Sequence, residues 1–92
     1  DAGTPPVGRQ AGAISRALGG LANVCSSGGT EAWLNKQGID WPTAELIARA
    51  LDAAGYDRWK PEPNPQKQLQ ALEIMEGIVG HPLNCALRRR TE

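Results

Sequence analysis

The chain has 92 residues with ten basic and ten acidic side chains, no Phe and three Trp. That length makes one small domain with a thin stability margin, whose core must be built from Leu, Ile, Val, Ala and Trp. A dedicated nucleic-acid binder carries a basic excess, which this chain lacks, and no apolar run approaches the ~18 residues of a membrane span.

Charge is uneven along the chain. Residues 1–30 hold Arg9 and Arg16 against Asp1, and residues 31–80 hold five basic against eight acidic side chains. Residues 81–92 hold Arg88, Arg89 and Arg90 against Glu92. The sequence opens DAGTPPVG without an initiator Met. This start fits either a processed exported protein or a domain cut from a longer chain.

In chain order, Asp1–Pro6 reads as a Gly/Pro-rich arm and residues 7–90 as one helical domain. Val7, Ala11, Ile14, Leu18, Leu21 and Cys25 recur at spacings of 4, 3, 4, 3 and 4. That seam predicts a helix over 7–24. Gly8, Gly12, Gly19 and Gly20 weaken it by roughly 1 kcal/mol each where interior, so it must be held by packing. A break is expected at Gly19-Gly20. Ser26–Gly29 follows as a turn. Thr30 is placed to cap a short helix over 30–37, with Trp33 and Leu34 inward and Gly38 at its end.

The best-formed signal is IDWPTAELIARALDAAGYDRW, residues 39–59. It predicts a helix over 42–55 that begins near Pro42, where a missing N–H costs nothing, and stops at Gly55. Leu46, Ile47, Ala50, Leu51 and Ala54 are assigned to its inward face. Pro61, Pro63 and Pro65 then favour an extended crossover. Asn64 can cap a helix over 65–79, which Gly80, His81 and Pro82 end. Leu83, Ala86 and Leu87 suggest a last short helix over 83–89. No segment alternates as a strand would. The fold class read from these patterns is an all-α bundle of four to five short helices.

Cys25 and Cys85 are the only cysteines. An even pair in a short chain fits one disulfide in an exported protein. Closing a loop of about 60 residues contributes about 4 kcal/mol in the chain-entropy view. The competing reading is two buried thiols. One His and two distant Cys do not make a zinc site. No metal or cofactor is expected, and no catalytic residue is assigned.

His81 sits at a helix end, where a cation suits the free carbonyls. The carboxylates Glu31, Asp40, Glu45, Asp52, Asp57, Glu73 and Glu76 are scattered, with no acid–base spacing. Arg88, Arg89 and Arg90 could contact an anion or simply sit solvated at a helix end. PTAELIARALDAAGYDRW has a loose likeness to the first helix and turn of a helix-turn-helix. The following Trp59-Lys60-Pro61-Glu62-Pro63 cannot form a recognition helix.

Trp41, Tyr56 and Trp59 bracket the central helix and are the candidate protein-binding residues. Their alternative role is core packing. The function expected is a non-enzymatic helical module that binds another protein, with self-association open to it. Nucleic-acid binding through Arg88–Arg90 is the alternative. A small enzyme built from scattered carboxylates and His81 is the third reading.

Overall fold

A computed structural model describes residues 8–20, 29–85 and 87. Those residues form four α-helices and no strand: α1 (Gly8–Ala17), α2 (Gly29–Lys36), α3 (Trp41–Ala53) and α4 (Pro65–Val79). The all-helical class expected from the sequence holds. α3 packs against α1 and α4, and α1 also contacts α2 and α4. The helix that touches every other one is therefore the glycine-weakened first helix.

One device ends three of the helices. Gly19, Gly38 and Gly55 have φ of 84°, 78° and 95°. Each lets the next amide bond back to the carbonyl five residues earlier: Gly20 N–H to Ser15 O at 2.8 Å, Ile39 N–H to Leu34 O at 3.0 Å and Tyr56 N–H to Leu51 O at 3.0 Å. This glycine-dependent closure satisfies carbonyls the helix end would otherwise leave open. It stops α1 at Ala17, where the expected helix ran on to 24; residues 21–28 lie outside the described residues. α4 ends at Gly80 with φ 94°.

The helix starts are less uniform. Asp40 caps α3 by accepting from the Thr43 amide at 3.1 Å. The Thr43 hydroxyl and then its amide hold the Asp40 carboxyl below its usual range. Asn64 caps α4 by accepting from the Gln66 amide at 2.9 Å. Thr30 is no cap: it lies inside the first turn of α2, behind Gly29, and is buried with its hydroxyl unpartnered among the described residues.

The core gathers Ile14 and Leu18 at the end of α1, Trp33 and Leu34 of α2, Ile39, and Ile47 and Leu51 of α3. Leu72 and Met75 of α4, with Leu83 and Leu87, close it. The inward stripe of α3 is Ala44, Ile47, Ala48 and Leu51. This corrects the sequence reading of that helix. Leu46 points outward, 55% exposed, and Ala54 is exposed as well. Leu46 and Ile47 are adjacent, so two overlapping apolar seams were possible, and the one that meets both α1 and α4 is the one buried.

The start of the expected helix over 83–89 needs correction: residues 82–85 are not helical, whereas Leu87 is, and residues 86, 88 and 89 lie outside the described residues. That stretch is tied to the bundle by side chains instead. Trp33 Nε1 donates to Asn84 O at 2.6 Å, and Glu76 accepts from the Leu83 amide at 2.9 Å. Pro82 removes one amide from the segment. Side-chain acceptors and donors satisfy it in place of a helical ladder.

Ile47→Ala should lower stability by about 2–5 kcal/mol through cavity formation, while Leu46→Ala should stay within about 0.5 kcal/mol. Urea midpoints of the two variants check the assignment, which fails if the order is reversed.

Candidate functional site

The link from α3 to α4, residues 54–64, carries Tyr56 and Trp59. Its backbone is fixed at several points. The Trp59 amide donates to Asp57 Oδ1 at 2.7 Å, a local turn that sets the direction of the Trp59 side chain. Arg58 Nε donates to Asp52 Oδ2 of α3 at 2.7 Å. The Glu62 amide donates at 2.8 Å to Arg16 O, a carbonyl at the end of α1 that also accepts from the Gly19 amide at 3.0 Å. Buried Gln68 donates to Glu62 O at 2.6 Å from α4. The crossover is thus held by three helices rather than by proline stiffness alone.

The aromatic residues assigned to binding meet different fates. Trp41, at the start of α3, is half-buried and packed against the core. Tyr56 is half-buried too, and its hydroxyl donates to Lys67 O at 2.6 Å. Burial raises the Tyr56 pKa, with added repulsion from Glu62 and then Glu73, so the phenol stays a donor at neutral pH. Trp59 stands 78% exposed. Ile39, two residues before Trp41, is buried.

Trp59 lies beside the outer side of α1. With Gly8, Arg9, Gly12, Arg16 and Arg58 it lines a concavity of about 590 Å³. Arg9 and Arg16 make no ion pair among the described residues, whereas Arg58 is paired with Asp52. Both partners of that pair are well exposed, so it orients Arg58 more than it stabilises the fold. At Gly12 an added Cβ would lie 3.1 Å from the Arg16 guanidinium, so the absent side chain is what lets that guanidinium lie against the helix. Sequence reasoning missed Arg9, Gly12 and Arg16. The spacing Gly8, Gly12, Arg16 is visible in the sequence, but nothing local shows that the crossover returns to it.

The other candidates stand apart from this groove or outside the described residues. His81 is exposed after α4, with Nδ1 2.9 Å from Pro82 O. Cys85 is buried, and Cys25 lies outside the described residues, as do Arg88, Arg89, Arg90 and the arm 1–6. Among the described residues no three His, Cys, Asp or Glu side chains gather as a metal site, and no helix is long and apolar enough to cross a membrane. The chain matches no protein-family model, no curated protein and no solved structure.

Thermal melts separate the two tryptophans. Trp59→Ala should leave the melting temperature within a degree or two, since it removes almost no buried surface. Trp41→Ala should cost about 1–3 kcal/mol by stripping packing from the core edge. Equal losses from both would mean that Trp59 is covered in solution.

Proposed function

We propose that this chain is a non-enzymatic helical module that acts by binding another protein, as an inhibitor, adaptor or assembly subunit. One observation carries the reading: a tryptophan left 78% exposed on a segment fixed by hydrogen bonds to three helices. Leaving that much aromatic surface in water is unfavourable, and the fixed backbone holds the ring away from the core formed by the described residues. A partner that covers the ring gains its full desolvation and loses little chain entropy on doing so. Trp41 and Tyr56 take part as the support that sets the crossover against the core.

Photo-crosslinking tests the reading directly. A benzoylphenylalanine is placed at position 59, and separately at 46, where Leu46 is the other exposed large apolar side chain. In an extract of the native source, position 59 should give a discrete protein adduct and position 46 none. Adducts only from 46 would move the surface to α3, and none from either would defeat the module reading.

A Cys25–Cys85 disulfide is part of the same proposal, as a staple suited to an exported protein. Its support is the even cysteine pair and the buried position of Cys85 beside Leu83 and Leu87. Thiol titration of the unfolded, unreduced protein should find no free thiol; two would remove the staple.

A further inference from the structure

We propose that the groove between α1 and Trp59 receives an acidic segment of the partner protein. This inference rests on the binding-module reading and names the chemistry of the partner. α1 contributes Gly8 and Gly12 to the groove, with the Arg16 guanidinium lying against Gly12 and the Glu31 carboxylate near Gly8. Arg9 and Arg16 border the groove as two cations without an ion pair among the described residues. Each guanidinium presents a planar set of donors that matches a carboxylate in two parallel hydrogen bonds. Arg58 adds a third donor group, already oriented by Asp52. Trp59 closes one side with an apolar wall.

A segment that fills such a groove needs carboxylates toward α1 and an apolar side chain against the indole. The protein is neutral overall, so this local excess of positive charge is a property of the groove and not of a general field.

A nucleic acid would also bring negative charge and a surface to stack on Trp59. The surroundings disfavour it. Asp57 and Glu62 flank Trp59 in the crossover, and Glu31 borders the neighbouring concavity that shares Gly8, Gly12 and Arg16. A phosphate chain has charge at every step and would have to run past these carboxylates. A short acidic peptide can end its charges at the two arginines.

The test uses amide NMR spectra of the full chain titrated with three probes. They are a twelve-residue peptide of glutamates and leucines, its lysine–leucine counterpart, and single-stranded oligouridylate of twelve nucleotides. The acidic peptide should shift the Gly8, Gly12 and Arg16 amides and the Trp59 indole N–H saturably. Arg9→Glu with Arg16→Glu should weaken that binding by about tenfold or more. Gly12→Leu should weaken it similarly by displacing the Arg16 guanidinium that lies against that glycine, while favouring the helix. The inference is overturned if the acidic peptide shifts none of these signals or if the lysine peptide shifts them equally. It is likewise overturned if the oligonucleotide binds there more tightly, or if neither substitution weakens binding. A protein adduct at position 59 alongside a failed peptide titration would leave the module reading standing and reject only the acidic partner.

Discussion

Everything in this bundle depends on the docking of its weakest helix. α1 has ten residues, two of them glycine within its first five, and helices of that length do not persist alone in water. Yet it contacts all three other helices and buries Ile14 and Leu18 completely. Each such side chain is worth roughly 1.5–3 kcal/mol of burial, enough to offset the glycines only when the partners are in place. Formation of α1 and closure of the core are therefore one event. The same helix end supplies the Arg16 carbonyl that anchors the crossover, so the geometry around Trp59 depends on that docking too.

Helix ends in this chain are decided locally, and they were the most legible part of the sequence. Gly19, Gly38, Gly55 and Gly80 all adopt the left-handed conformation that their positions require. Asn64-Pro65 opens α4 as a capped start with proline in the first turn. Which way a helix faces is decided by its neighbours, and here sequence reading ran out. Leu46 and Ile47 are equivalent in hydrophobicity, and only the placement of α1 and α4 puts one inside. Gln68 shows the converse. A polar residue is buried because the Glu62 carbonyl waits for it, a partner six residues back and outside the helix. The stretch after Gly80 has helix-forming leucines, but Trp33 and Glu76 satisfy its backbone in an irregular path.

The candidate site was legible only in part for a related reason. Three aromatic residues around one helix marked the region, and the alternating prolines marked the crossover as ordered. Exposure could not be ranked among the three, because Tyr56 is drawn inward by the Lys67 carbonyl and Trp41 by the core edge. Trp59 has neither attachment for its ring. The cationic wall opposite comes from residues more than forty positions earlier, and the packing of α1 on α3 with the Glu62–Arg16 bond brings those two stretches together.

The three tryptophans occupy three different environments: Trp33 5% exposed and bonded through its indole N–H, Trp41 half-buried, and Trp59 78% exposed. With no Phe and a single Tyr, they dominate the protein's near-ultraviolet optical signal. Emission from this chain is consequently a sum of a blue-shifted inner component and a red-shifted outer one. A water-soluble quencher extinguishes the outer component first. The protein thus carries separate natural reporters for the integrity of its interior and for occupancy of its surface, readable in one spectrum without a label.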